Sequence, residues 1–377
     1  MAMHQIEQCW YIRTPIQEGE VFSSWLIRSA LDLGCSPLTL VNLLWEKWRG
    51  LTIDIDRGLN EEKLDILLNH CFVEQYEVQK TMLSSYFPAL IPINYNKNQR
   101  IPWILALGIR NRSNVSGRQV CTQCLSSANT PPYLRIKWRM GWHSGCDIHK
   151  TILIDHCPQC GITLQPTKID IEHGSLAICT SCYADLSTFI QRSIETDALR
   201  FQHQADQVLE SQLGRYNQKD ISSIEWFEIA RTWLSFIRSP INMKSPNLLQ
   251  MFESFNIDLN MDYPITPVAF EFLTVQEREK LLSILNKIMA LPCDLIVERS
   301  LEYRVSRSYF WDKRKKLPIQ LQLMKHKMLK PSKIVLPKDN AIVMRKPKSK
   351  KSVQRKWLRL LRKLQKGGTG DFSSIAP

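Results

Sequence analysis

Cysteine and histidine fall into four short pairs between residues 121 and 182: Cys121/Cys124, Cys146/His149, Cys157/Cys160 and Cys179/Cys182. Each pair encloses two residues. That gap lets both side chains reach one ion from a tight turn, and two such turns complete a tetrahedral site. The stretches that join them, Cys124 to Cys146 and Cys160 to Cys179, are short enough to close. Pairing in sequence order predicts one structural zinc on Cys121, Cys124, Cys146 and His149, and a second on Cys157, Cys160, Cys179 and Cys182. Four protein donors per ion leave no position for a water nucleophile. Disulfides would need an oxidising compartment, and Met1–Tyr11 lacks the basic-then-apolar pattern of a signal peptide. His143 and His156 stand nearby and could substitute for a ligand, but the four pairs are already complete. Cys9, Cys35, Cys71 and Cys293 read as small core residues.

A metal-built middle needs little apolar core, because the ion supplies folding free energy. The rest of the chain must carry its own. With 377 residues and 44% hydrophobic content, two to three domains with ordinary cores are expected. No apolar run approaches the length of a membrane span; the lack of a signal-peptide pattern and the thiolate zinc sites together predict a cytoplasmic protein, with no membrane partner. The formal net charge of +14 is unevenly placed. Residues 303–377 hold 22 Lys/Arg against 3 Asp/Glu, a surplus of 19, and residues 1–302 hold 28 against 33, a deficit of 5. A mildly acidic body with a strongly basic C-terminal quarter points to a polyanion partner, most simply nucleic acid.

Periodicity predicts a mainly α fold with a central zinc-binding region of small β-hairpins and helical, helix-turn-helix-like domains at both ends. Residues 1–115 form the N-terminal domain, with helices at 18–33 and 38–48 around Gly34, Ser36 and Pro37, then at 61–70 and 73–86. Pro88, Pro92 and the polar run 94–100 read as a loop. Residues 116–190 form the double zinc region. In it Tyr133, Ile136, Trp138 and Trp142 are packing residues, and Arg135, Lys137 and Arg139 the solvated side of a strand. Residues 191–325 form a C-terminal helical domain. Its helices are 196–213 ending at Gly214, one capped by Ser222 and Glu225, and one capped by Thr274 and Glu277, with 242–264 as a connector. The segment 293–316 interleaves aromatics with basic residues and supplies nucleic-acid contacts at Arg304, Arg307, Lys313, Arg314, Lys315 and Lys316. Residues 326–377 form a basic, partly disordered tail. Within it, 345–366 carries eleven basic residues and no acid. Trp357, Leu361 and Leu364 there recur at helical spacing, and Lys350, Lys351, Arg355 and Lys356 are further contacts.

Motifs for nucleotide phosphates and for the common hydrolases are absent, and the acidic residues, Asp54, Asp56 and Asp170 included, form no recognisable two-metal set. The chain reads as a non-enzyme. The enzymatic alternative is a small metal-dependent nuclease in which His143 or His156 activates water.

These residues together resemble the TniQ family of transposon target-selection proteins. The N-terminal part aligns through Pro15, Glu20, Ser24-Trp25-Leu26 and Arg28. The middle aligns through Cys121, Cys124-Leu125, Pro132-Tyr133, Trp138-Arg139, Cys146, His149, Leu153, Cys157-Pro158, Cys160-Gly161, Cys179 and Cys182. The resemblance covers residues 10–190. It implies a non-catalytic adaptor that holds a DNA target and hands it to an AAA+ regulator (TnsC-like), which recruits the transposase. Shorter family members sit on an RNA-guided CRISPR effector (Cascade-like) with its guide RNA and can pair as homodimers. Longer, TnsD-type members read an attachment site directly. A zinc-containing transcription regulator is the alternative that shares the same features.

Overall fold

The computed structural model describes residues 11–96, 99–107, 117–243, 245–259, 268–310, 317–328 and 357, without the side chains of 239–243. Among these residues the fold is mainly helical, with a single two-stranded sheet.

The N-terminal part begins with α1 (Phe22–Asp32) and α2 (Pro37–Leu44). The short link between them follows from local chemistry. Gly34 takes the left-handed conformation (φ +69°) after α1, Ser36 Oγ accepts from the N–H of Thr39, and Pro37 occupies the first helical position. Both helices are shorter than their periodicity predicts: α1 starts at Phe22, and α2 stops at Leu44. Then come α3 (Glu61–Leu68) and α4 (Gln75–Lys80). The helix expected over 73–86 is broken. After α4 the chain passes through a 3-10 turn at Leu83–Tyr86 into α5 (Phe87–Leu90), which places Pro88 at the start of a short helix, not in a loop. Trp25, Phe22, Leu40, Trp45, Leu67 and Val78 form a separate small core here.

The expected β-hairpins of the middle region are not formed. Apart from α6 (Thr122–Leu125) and 3-10 turns, the chain there is held by isolated bridges such as Val120–Ile154, Gly145–Ile152, His156–Thr163 and Ile178–Asp185. Residues 136–139 form a 3-10 turn, not a strand, and Arg139 is buried. The expected solvated strand face is thereby overturned: only Lys137 and Arg135 of the three keep partial exposure.

Helix α7 (Thr196–Ser211) ends two residues earlier than predicted, because Gln212 adopts φ +57°. Gly214 is then not a cap. It lies on β1 (Leu213–Tyr216), where a Cβ would stand only 2.7 Å from the Trp226 indole, so the site admits no side chain. β1 pairs antiparallel with β2 (Lys219–Ser222) through a two-residue turn, Asn217-Gln218, both at positive φ. Helix α8 (Ser223–Met243) follows, with Ser222 Oγ accepting from the N–H of Glu225. The predicted connector 242–264 contains α9 (Pro246–Glu253). Helix α10 (Val275–Met289) has the full capping box of Thr274 and Glu277, as expected. It is followed after a three-residue link by α11 (Cys293–Glu302), and last comes α12 (Ile319–Lys327). One continuous core joins Trp138, Trp142, Ile152 and Leu164 of the middle to Phe201, Trp226, Leu281 and Ile296 of these helices. Trp103 lies at its centre, 5.2 to 6.3 Å from Trp142, Phe201, Phe227 and Phe270 by ring centroids. From Ser332 onward a separate unit is set off, of which only Trp357, 41% exposed, is described.

Candidate metal centres and the framework around them

Three of the four ligand pairs are built on one backbone pattern. The N–H of the first ligand bonds the carbonyl five residues on: Cys146 to Thr151 (2.9 Å), Cys157 to Ile162 (2.8 Å) and Cys179 to Ala184 (2.9 Å). The carbonyl of that same ligand accepts from the residue after the pair, namely Lys150 (2.9 Å), Gly161 (2.8 Å) and Tyr183 (3.0 Å). Those three residues all have left-handed backbones, with φ of 55°, 69° and 58°. Only one of them is glycine, so the sequence displays the turn openly at Gly161 alone. The fourth pair differs: Cys121 and Cys124 sit at the start of α6. The Val120–Ile154 bridge, with both N–H···O bonds at 2.9 Å, brings that helix beside the Cys146 turn.

The ligands meet in sequence order. In the first cluster His149 Nδ1 lies 3.4 Å from Cys121 Sγ, 3.4 Å from Cys124 Sγ and 3.5 Å from Cys146 Sγ, and Cys124 and Cys146 are 3.6 Å apart. In the second, Cys157–Cys182 and Cys160–Cys179 are 3.7 and 3.8 Å apart. Around a tetrahedral zinc, bond lengths of about 2.3 Å to sulfur and about 2.0 Å to nitrogen put donors about 3.8 Å (S–S) and about 3.5 Å (S–N) from each other. A disulfide would need a sulfur pair at about 2.05 Å. Both donor sets therefore fit zinc, and both could hold one. Cys121, Cys146, Cys157 and Cys179 are buried, while Cys124, Cys160 and Cys182 are partly exposed and His149 is exposed. Each centre thus has a shielded and an open side.

His143 replaces no ligand. It is 1% exposed, and its Nε2 bonds Asp206 Oδ1 (2.9 Å) on α7 while its Nδ1 faces Asp147 at 4.0 Å. Asp206 is further held by the Trp142 indole N–H (2.8 Å) and Lys137 Nζ (3.1 Å). Burial opposes the charge on Asp206, but His143, Lys137 and the Trp142 N–H prevail and keep its carboxyl well below the ordinary range. His143 is thus set between two carboxylates, bonded to Asp206 and 4.0 Å from Asp147. His156 bonds its neighbour Asp155 (2.7 Å), whose second oxygen accepts from the N–H of Val275.

The carboxylates Asp54 and Asp56, which form no recognisable set in the sequence, serve a structural purpose. Asp56 is fully buried and accepts from Arg118 (2.7 Å), Arg139 (2.5 Å) and the N–H of Ser23 (2.7 Å), and Asp54 accepts from Arg139 through both oxygens. Burial would raise the Asp56 carboxyl, but the two guanidinium groups outweigh it and hold it below its ordinary value. A second network gathers the N-terminal motif residues. Glu20 accepts from Arg28 (2.6 Å) and Ser24 (2.6 Å), Arg28 reaches Pro15 O, and Trp25 Nε1 donates to Thr14 O. Ser24 Oγ accepts in turn from the N–H of Leu134, which ties α1 to the middle region. A fourth buried cation, Arg278 on α10, rests on the carbonyls of Gly141 and His143 and on Gln119 Oε1. Burial lowers it to about 10, so it stays charged at neutral pH.

Of the expected nucleic-acid contacts, Arg304 is exposed just after α11 and Arg307 is partly exposed. Lys313, Arg314, Lys315, Lys316, Lys350, Lys351, Arg355 and Lys356 lie outside the described residues. No helix among the described residues is long and apolar enough to cross a membrane. Comparison with family models matches residues 11–153 to TniQ. The match takes in the whole first cluster and stops short of the second, so it is narrower than the resemblance over 10–190. A search of curated proteins finds no match.

Proposed function

The chain carries a TniQ-family domain over residues 11–153, and on that premise we propose that it is a non-catalytic target-selection adaptor for DNA transposition. The TniQ domain itself implies a transposition-associated role in target selection or DNA binding. In the finer reading, the protein holds target DNA or an RNA-guided Cascade-like effector and recruits an AAA+ regulator of the TnsC type, which brings the transposase. The observation that carries the absence of catalysis is the donor count. Each cluster offers four protein donors at closed tetrahedral spacing, which suits two structural zincs and leaves no open coordination position. The zincs then hold the ligand turns, one of which packs on α7, while the basic C-terminal quarter meets DNA phosphates.

The alternative is a protein that reads its own DNA sequence, as an attachment-site reader or a zinc-containing regulator; the charge surplus of residues 303–377 favours direct DNA contact in either case. Selection from a random duplex DNA pool with the purified chain, combined with a salt titration, separates the two. Salt-sensitive binding without enrichment supports the adaptor. Enrichment of one sequence supports the direct reader and overturns the guided one.

A further inference from the structure

One fully buried side chain of α7 is devoted to the first metal cluster. Gln202 has no exposed surface. Its Oε1 accepts from the N–H groups of Ser144 (3.2 Å) and Gly145 (3.2 Å), and its Nε2 donates to Gly145 O (3.1 Å) and to the Asp147 carboxylate. These residues run straight into Cys146 and on toward His149. One helical turn later on α7, Asp206 holds Trp142 and His143. The chain just before α7 takes the return side of the same turn. Ile152 N–H bonds Arg192 O (3.0 Å), Ile194 N–H bonds Lys150 O (3.0 Å), and the Ile194 side chain fills the place that a Cβ on Gly145 would take. The start of α7 is in turn fixed to α10, whose Glu279 accepts from Arg192 and from the N–H of Glu195. The second cluster is tied differently. One polar link to the C-terminal helices there is the Asp155–Val275 bond, two residues ahead of Cys157 and outside the ligand turn.

We propose that Gln202 is a positioning residue for the metal of the first cluster: by fixing the backbone of Ser144–Asp147 it keeps Cys146 Sγ and His149 Nδ1 at ligand separation. Zinc retention in that cluster is thereby coupled to the C-terminal helices, and the second cluster holds its ion independently of α7. The assignment rests on the zinc reading above. Removing the amide leaves two buried N–H donors and the Asp147 carboxylate without their partner, and outer partners of metal ligands typically alter affinity about 10- to 100-fold.

The test uses the full chain purified with zinc, measuring metal content and then the time course of zinc transfer to the chromogenic chelator 4-(2-pyridylazo)resorcinol under native conditions. Wild type should carry two zincs per chain. In Gln202→Ala one of the two should leave about 10- to 100-fold faster and the other at the wild-type rate. Gln202→Glu keeps the size and the acceptor oxygens but loses the donor and sets a like charge against Asp147, so it too should release that ion faster than wild type. Cobalt substitution assigns the fast ion. A centre of three cysteines and one histidine and a centre of four cysteines have different ligand-field spectra, and only the histidine-containing component should change. Equal acceleration of both ions with a lowered melting temperature would mean that Gln202 only supports the fold, and unchanged release in both variants would likewise overturn the proposal. A wild-type chain without zinc would fail at the first step and refute the zinc reading itself.

Discussion

At the scale of single residues, the buried ion network makes a stronger demand than the exposed charges. Asp56 neutralises two buried arginines, Arg118 and Arg139. Its replacement by Asn should cost about 3–5 kcal/mol, since it leaves buried positive charge uncompensated. Because the folded carboxyl lies below its ordinary value of 3.8, its contribution is complete above that value and disappears only as pH falls through the folded pKa. The gap in urea-unfolding stability between wild type and Asp56→Asn should therefore be equal at pH 8 and pH 5.5; a gap that closes within that window would contradict the assignment. The ligands behave differently. Cys121→Ser and Cys157→Ser should each reduce zinc from two per chain to one or none and melt the middle region, as read by metal analysis and circular dichroism. Retained zinc with an unaltered melt would remove those residues from the ligand sets.

Among local elements, the three matching turns give a sharper comparison. Gly161 stands at φ +69° with open space around its Cβ position, so Gly161→Ala should cost about 1–2 kcal/mol through backbone strain alone. Lys150 and Tyr183 already bear that strain at φ 55° and 58°; Lys150→Gly should be neutral or stabilising, whereas Tyr183→Gly also gives up the ring stacking on His173 (4.7 Å between centroids) and should gain less. Chelator-dependent melting curves of the three variants check both signs. The elements also show what the sequence makes legible. The ligand pairs, their order, the caps at Ser36 and Thr274 and the existence of most helices follow from spacing and local chemistry. The two left-handed turns at Lys150 and Tyr183 do not, because neither residue type announces positive φ. The break of 73–86 into a helix and a 3-10 turn is set by packing, which overrides propensity. Arg139 reads as a surface residue by its type, and nothing local shows that Asp54 and Asp56, more than eighty residues away, will bury it. Gln202 is hidden for the same reason: its partners are backbone and carboxylate groups 55 to 58 positions earlier in the chain.

On the scale of the whole molecule, charge separates the basic C-terminal quarter from the body. If residues 303–377 meet DNA through phosphates, reversing Arg304, Arg307, Lys313, Arg314, Lys315 and Lys316 to Glu should flatten the dependence of log K on log salt, by about one unit of slope for each phosphate no longer neutralised. An unaltered slope would remove this surface. The core that joins Trp142 and Ile152 to Phe201 and Leu281 has a further consequence. A chain cut after Leu153 would retain all four donors of the first cluster and the whole TniQ match, but it would lose Arg192, Ile194, Gln202 and Asp206, which seat the Cys146–His149 turn. The shared family segment and the cooperative folding unit therefore have different borders. Recombination that transplanted only the former would carry a metal site without its scaffold, so exchange between relatives should be tolerated at junctions beyond α7 more readily than at the edge of the match.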